Sequence, residues 1–169
     1  MDVGEAIRAR RSVRAYRDRP VPEDVLRRVL EAARLAPSAR NRQEWRFIAV
    51  RDPGQRGRIT EAARGNTFLA QAPVILAFCA TEDGSVMSCG QKAGPIDVSI
   101  ALAYVTLAAV AEGLGTCWLG SYEEDKVRAV LGVPAGARVV AMSPLGYPAE
   151  SPEARPRRAF EEVVGFDRW

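Results

Sequence analysis

The sequence contains no histidine among its 169 residues. That absence excludes His-based catalytic triads, imidazole general bases and zinc sites that depend on histidine ligands. Cysteine is scarce, because the chain carries three, at Cys79, Cys89 and Cys117. Their spacing rules out a CxxC motif, and their odd number argues against a disulfide scaffold. Lysine is nearly absent, so the cationic groups are almost all arginines, a side chain suited to bidentate phosphate binding.

The composition is that of an ordinary globular protein. Apolar residues make up 47% of the chain and charged residues 27%, and the length suits one domain. A net charge of +3 is too small to require a polyanionic partner. The N-terminal segment MDVGEAIRARRS carries charges where a signal peptide would carry an apolar run, which predicts a reducing, cytoplasmic location.

Periodicity predicts a mixture of helices and strands. In the segment EWRFIAV the side chains of Trp45, Phe47 and Ala49 share one face, as in a strand with one face in the core. The run PVILAFCA is apolar throughout, which is typical of a strand buried on both faces. We expect helices at 2–10, 22–37, 55–65 and 97–114, a helix after the loop that follows Gly115, and strands at 44–50, 73–80 and 137–148.

The longest apolar segment is DVSIALAYVTLAAVAEGLG. Asp97 and Glu112 bracket only fourteen residues within it, whereas a membrane span needs about 20. A helix that is apolar on nearly all sides lies in a core or a subunit interface, and for so small a protein we expect an interface. In the helix that follows, Ser121 and Glu124 have capping-box spacing, and Gly132 is expected to end it.

A cluster of arginines lies near the N-terminus. In RRSVR, Arg10, Arg11 and Arg14 flank Ser12 where a helix gives way to an extended segment. These groups offer a phosphate several charge-assisted donors and a hydroxyl. The alternatives are a solvated helix face and a basic arm for nucleic acid.

Two further stretches carry polar or small residues between predicted elements. APSARNRQEWRF supplies Ser38, Asn41 and Gln43, which suit hydrogen bonding to a polar heterocycle or a polyol, although a helix-capping turn explains part of the set. GLGTCWLGSY places small residues in a loop whose backbone amides can approach a planar ligand, or which simply joins two helices.

Taken in order, these stretches resemble the nitroreductase family, whose members are FMN-dependent flavoproteins that use a nicotinamide donor. The resemblance rests on AIRARRSVRAYRDRPVPEDVL, LAPSARNRQEWRFIAV, IDVSIALAYVTLAAVAEGLGTCWLG and LGVPAGARVVAMSPLGYPAESPEARPRRAFEEVV, and so covers almost the whole chain. It implies one FMN-binding domain over residues 1–169. It also implies an α+β nitroreductase-like fold, with a central, mainly antiparallel or mixed sheet flanked by helices, in an intertwined homodimer.

The resemblance also implies where the cofactor is held. The residues that would bind the FMN phosphate and ribityl chain are Arg10, Arg11, Ser12 and Arg14. Arg155 and Arg157 would bind the same phosphate from the C-terminal side. Arg17 and Arg19 are expected to face solvent. The residues that would contact the flavin from the other subunit are Pro37, Ser38, Ala39 and Asn41, with Gln43 nearby. Leu119 and Gly120 would present backbone groups near the reactive N5 edge. No catalytic side chain and no metal are implied.

The implied reaction is hydride transfer from NADH or NADPH through flavin N5 to an electron-poor acceptor, such as a nitroaromatic or a quinone, by a ping-pong mechanism. The partners are then a second copy of the chain and a small-molecule acceptor, with no nucleic acid and no membrane. Glu44 stands where many members have proline, and segment 82–95 lies where relatives diverge most. The alternatives are a specialised flavoprotein of the same fold (dehalogenase, desaturase or flavin-modifying enzyme) and a small basic nucleic-acid-binding module.

Overall fold

A four-stranded sheet forms the centre of the computed structural model, which describes residues 1–82 and 84–169. Position 83, within the divergent segment 82–95, lies outside the described residues. The strands are β1 (Trp45–Val50), β2 (Val74–Ala80), β3 (Gly115–Thr116) and β4 (Arg138–Gly146). The helices are α1 (Val3–Ala9), α2 (Glu23–Arg34), α3 (Pro53–Ala62), α4 (Phe68–Gln71), α5 (Ala93–Ala111), α6 (Glu124–Leu131) and α7 (Phe160–Val163), with a 3₁₀ turn at Ala39–Asn41.

The strands lie in the order β1-β2-β4-β3, and each neighbouring pair is antiparallel. Trp45 is opposite Ala80 in the first pair, and Val74 is opposite Leu145 in the second. At the edge, Thr116 of β3 forms a parallel bridge with Ser12. The expected mainly antiparallel sheet is confirmed, and the N-terminal segment runs along its edge.

Apolar clusters cover both faces of the sheet. The Trp45, Phe47 and Ala49 side chains pack with the cluster that contains α2 and α5, while Val50 belongs to the cluster that contains α3 and α6. β2 is buried along its whole length, as the unbroken apolar run predicts. The two-residue alternation of β1 therefore places the sheet between two layers of helix.

Helix α5 is longer at its start than the sequence suggests. It begins at Ala93, four residues before the predicted start, and ends at Ala111, where Gly113 adopts φ +72° and turns the chain. The helix has the length and mean hydropathy of a membrane span. Val98 and Leu102 nevertheless lie fully buried in the cluster shared with α2 and the sheet, so this part of the helix lies in the core, and the expected subunit interface stays a prediction.

The predicted capping box of α6 is wrong. The N-cap is Glu123, and Ser121 lies outside the helix. The Glu124 carboxylate accepts from the Arg138 guanidinium, at 2.6 and 2.7 Å, and from the Val139 N–H at 3.0 Å. Because β4 occupies this carboxylate, Glu124 ties α6 to the sheet instead of capping the helix. The predicted end is confirmed, since Gly132 has φ +63° and forms the C-cap.

Candidate functional site

Arginines line a cavity of about 700 Å³ between the N-terminal segment and the C-terminal segment. Residues 7–14 form one wall and residues 150–157 the other. The structure brings together the six residues that the resemblance assigns to phosphate, since Arg10, Arg11, Ser12, Arg14, Arg155 and Arg157 all line this one cavity.

The N-terminal wall is fixed to the sheet edge by backbone hydrogen bonds and close packing. The Val13 N–H donates to the Thr116 carbonyl at 2.9 Å, beside the Ser12–Thr116 bridge. Val13 also packs directly on Gly115, where an added Cβ would lie 2.8 Å from the Val13 side chain. A glycine is therefore required at 115 for the arginine segment to lie this close to β3.

The C-terminal wall pairs with the same segment from the other side. The Ala149 N–H donates to the Ala15 carbonyl at 2.9 Å, and the Glu150 carboxylate accepts the backbone N–H of Arg14 at 2.5 Å. Tyr16, which is buried, forms an antiparallel bridge with Pro148. These contacts hold the two walls in register, so that arginines from both chain ends face one space.

The arginines differ in how far they are already engaged. Arg11 Nη1 donates to the carbonyls of Arg8 and Arg10, at 2.6 and 2.9 Å, so part of this guanidinium closes the end of α1. Arg17 and Arg19 are exposed and lie outside the cavity lining, as predicted. Arg17 Nε donates to the Pro148 carbonyl, and the Arg19 guanidinium lies 3.9 Å above the Tyr147 ring.

The charge of the cavity suits a phosphate. Guanidinium groups make short, charge-assisted and often bidentate hydrogen bonds to phosphate oxygens, and the Ser12 hydroxyl adds a neutral donor. Two carboxylates, of Glu150 and Glu153, also line the cavity, and the arginines exceed them in number. The donor set therefore fits a terminal phosphate group such as that of FMN.

The second predicted group forms one loop, at the end of α2. Ser38 Oγ accepts the Gln43 N–H at 3.0 Å, and Gln43 Nε2 donates to the Asn41 carbonyl at 3.2 Å. The Ala39 N–H donates to the Asp97 carboxylate, and Pro37, an exposed residue, begins the loop, which runs from Pro37 to Gln43. The structure brings these five residues together, but they do not belong to the lining of the arginine cavity.

The two residues of the third predicted pair, Leu119 and Gly120, differ in what their backbone offers a ligand. Leu119 is buried, its N–H donates to Met142 at 2.9 Å, and its carbonyl accepts from Met142 at 3.0 Å. The Leu119 N–H is therefore unavailable to a ligand, because it already pairs with β4. Gly120 is exposed, and among the described residues its N–H has no hydrogen-bond acceptor. Just beyond it, Asn66 Nδ2 donates to the Ser121 carbonyl at 3.3 Å.

Cys117 lies between the arginine segment and this loop. It is buried, and burial raises the pKa of its thiol, an effect that Arg14, Ser12 and Arg10 partly offset. A thiol with a raised pKa is protonated near neutral pH and is a weak nucleophile, which supports a structural role. Among residues 1–82 and 84–169, no group of three or more acidic or cysteine side chains is placed to hold a metal.

Sequence reasoning missed three residues of these groups. Arg8 lines the cavity, and its helical spacing from Arg11 was a usable signal. Glu150 follows the turn after β4, and nothing in its local sequence indicates that it reaches Arg14. Asp97 enters the sequence analysis only as the boundary of an apolar run, although a carboxylate within so apolar a segment indicates a buried polar contact.

Comparison with known proteins gives consistent matches. The sequence model of the nitroreductase family matches residues 7–67 and 62–147. An NADH dehydrogenase of Thermus thermophilus is 35% identical over an alignment of 195 residues, which covers 97% of this chain and 95% of that protein. The FMN reductase (NAD(P)H) of Bacillus subtilis is 30% identical, over 96% of this chain and 72% of that protein. An FMN-dependent nitroreductase of Clostridium difficile superposes with a TM-score of 0.84 at 29% identity, over 97% of this chain and 98% of that chain.

Proposed function

The chain belongs to the nitroreductase family, and from this membership we propose that it is an FMN-dependent oxidoreductase that transfers hydride from NADH or NADPH to an electron-poor acceptor. The observation that carries the proposal is the arginine cavity, in which both chain segments present cations to one space. Relatives named for FMN and NAD(P)H support the same cofactor and donor. In this proposal residues 1–169 form a single FMN-binding domain.

The chain's own residues hold the phosphate end of the cofactor. Arg10, Arg14, Arg155 and Arg157 supply cations, and Ser12 supplies a hydroxyl. A terminal monophosphate accepts donors from several sides at once, which favours FMN over FAD. When bound, FMN supplies the redox chemistry, because it takes up a hydride from the nicotinamide and passes it to the acceptor.

The backbone carries the contacts at the reactive end. Gly120 is an exposed residue whose N–H is unpaired among the described residues, and it is the donor that the loop offers to the flavin edge. The Leu119 backbone holds that loop on β4 through Met142. No histidine is present to carry a proton, and in this proposal the acceptor takes its proton from solvent. Donor and acceptor then occupy the same place in turn, which is a ping-pong mechanism.

The site is completed by a second copy of the chain. Ile96, Ile100 and Tyr104 follow each other at four-residue spacing on α5, and Ile96 and Tyr104 are large apolar side chains left exposed. A stripe of this kind supports an interface between two copies. In the dimer, the partner's copy of the loop Pro37–Gln43 contributes the contacts from Ser38 and Asn41. We further propose that the dimer resides in the cytoplasm.

The visible spectrum of the purified protein tests the proposal. We expect a yellow protein whose chromophore, released by denaturation, co-elutes with FMN and not with FAD on chromatography. Steady-state rates with NADH or NADPH and a quinone or nitroaromatic should give parallel double-reciprocal lines. A colourless protein that does not take up added FMN would end the proposal, and binding of nucleic acid instead would favour the basic-module alternative.

Two further measurements test the flavin-modifying alternative and the absence of a catalytic side chain. Recovery of intact FMN after many turnovers excludes an enzyme that modifies or cleaves its flavin. Cys117→Ala and Glu44→Gln proteins that retain FMN should turn over at near wild-type rates. A loss of about a thousandfold in either would reveal an acid–base or nucleophilic side chain and contradict the mechanism.

A further inference from the structure

Asp97 is a buried carboxylate on the most apolar helix of the chain, and the proposed reaction does not use it. Its side chain lies on α5 and is 6% exposed. Both carboxylate oxygens lie 3.1 Å from the backbone nitrogen of Ala39. A carboxylate is retained in such surroundings when it satisfies a specific partner, and here that partner is the loop of residues 37–43.

The same loop has a conformation that must be held in place. Arg40, Asn41 and Gln43 have φ values of +53°, +55° and +56°. Side chains other than glycine adopt this left-handed region at an energetic cost, and a cluster of such residues persists only where surrounding contacts enforce it. The Ser38 hydroxyl supplies one such contact from within the loop, to the Gln43 N–H.

Asp97 is itself fixed relative to the sheet. Gly94, one turn earlier on α5, packs so closely on β2 that an added Cβ would lie 2.9 Å from the Ala80 side chain. Val98, the next residue, is fully buried in the core. The loop is thus tied through Asp97 to the buried core, while its outer side is held by the Arg42–Ser85 hydrogen bond at 2.8 Å.

We infer that Asp97 is a positioning residue that holds the loop 37–43 in its strained shape through the Ala39 N–H, and so presents Ser38 and Asn41 to the cofactor. The presentation of Ser38 and Asn41 to the cofactor rests on the proposed function. The role of Asp97 in holding the loop concerns the protein alone and can be tested without cofactor.

Tryptic cleavage after Arg42, an exposed loop residue, reports the loop shape in cofactor-free protein. Asp97→Ala should accelerate this cleavage about tenfold, because the Ala39 N–H loses its acceptor. Asp97→Asn should remain close to wild type, since an amide oxygen accepts the same hydrogen bond. Thr106→Val is the matched control on the same helix, because Thr106 Oγ1 bonds within α5 to the Ala103 carbonyl.

A second variant approaches the contact from the loop side. Ala39→Pro removes the donor, and the extended backbone of Ser38, at φ −138° and ψ 157°, accepts a following proline. Ala39→Pro should accelerate cleavage like Asp97→Ala, and the double variant should be cleaved no faster than either single variant. Ala39→Pro on its own keeps the inference testable even if Asp97→Ala folds poorly.

FMN affinity gives the second readout. We expect Asp97→Ala to weaken FMN binding about tenfold, with Asp97→Asn and Thr106→Val close to wild type. The inference is overturned if Asp97→Ala is cleaved and binds FMN like wild type, or if Asp97→Asn behaves like Asp97→Ala. If wild-type protein binds no FMN, the proposed function fails, while the cleavage comparison still decides the role of Asp97 in the loop.

Discussion

Glu150 accepts the backbone N–H of Arg14 at 2.5 Å, across 136 positions of sequence, and both residues line the arginine cavity. The carboxylate joins the two walls of the cavity and also places a negative charge inside it. These two effects act in opposite directions on a bound phosphate. The amide of glutamine separates them, because it keeps the hydrogen-bond acceptor and removes the charge.

Glu150→Gln is therefore expected to tighten FMN binding by about two- to fivefold, a small effect because Glu150 is exposed and its charge is screened. Riboflavin, which lacks the phosphate, should bind equally to both proteins. Fluorescence titration of the cofactor-free proteins measures both affinities. Weaker FMN binding to Glu150→Gln would show that the charge, and not only the acceptor, is needed to hold the walls together.

Replacing Arg10 or Arg14 by alanine is expected to weaken FMN binding about ten- to hundredfold, the size of one charge-assisted hydrogen bond to phosphate. Arg17→Ala is the control, because its guanidinium bonds the Pro148 carbonyl outside the cavity. Riboflavin binding should change little in all three variants. Equal losses for the three arginines would indicate a diffuse basic surface instead of a defined phosphate site.

Tyr104→Glu is expected to dissociate the proposed dimer and release FMN together. A charge placed on the exposed apolar stripe of α5 cannot be buried against a second copy without a large desolvation cost. Ala129→Glu, on the exposed surface of α6, is the matched control. Sedimentation at low micromolar concentration, with absorbance read at the flavin band, follows mass and cofactor at once. A Tyr104→Glu protein that stays dimeric and yellow would place the interface elsewhere.

The Glu124–Arg138 contact predicts a pH dependence of folding. The guanidinium of Arg138 lowers the pKa of the Glu124 carboxyl, which also accepts the Val139 N–H. A carboxyl whose pKa is lowered by folding stabilises the protein above its unfolded value, about 4.3, and that contribution is lost as pH falls through the folded value. Glu124→Gln should lower the free energy of unfolding by about 1–2 kcal/mol at pH 7 and flatten the loss of stability as the pH falls below about 4.3.

Urea denaturation across that pH range measures the effect. Glu31→Gln is the control, because the Glu31–Arg34 pair bridges one turn of α2 and is more exposed. Its loss of stability at pH 7 should be the smaller of the two. If the Glu31 variant loses as much free energy of unfolding as the Glu124 variant, the contact of Glu124 with β4 stabilises the protein no more than an ion pair within one helix.

The elements that the sequence predicts well are those whose signal is local. The alternation of Trp45, Phe47 and Ala49 gives both the strand and its buried face, and the unbroken apolar run gives the central strand β2. The sequence also predicts that the arginines around Ser12 form one cluster, because they are neighbours in the chain. Local pattern suffices where the neighbours in space are neighbours in sequence.

The contacts that the sequence does not predict join distant segments. Ser121 and Glu124 have the spacing of a capping box, yet Arg138, fourteen residues after Glu124, takes the carboxylate. Asp97 and Ala39 meet across 58 positions, and no periodicity connects them. Spacing rules describe one helix or one strand at a time, so they cannot rank a local cap against a partner that the fold supplies.

The arginine cavity takes one wall from residues 7–14 and the other from residues 150–157. In chain order the first wall precedes all four strands of the sheet, and the second wall follows the last of them. A nascent chain that has completed the sheet through β4 at Gly146 still has only half of the phosphate site. The proposed phosphate site is therefore complete only once residues 150–157 have packed against residues 7–14, a step later in chain order than the formation of the last strand of the sheet.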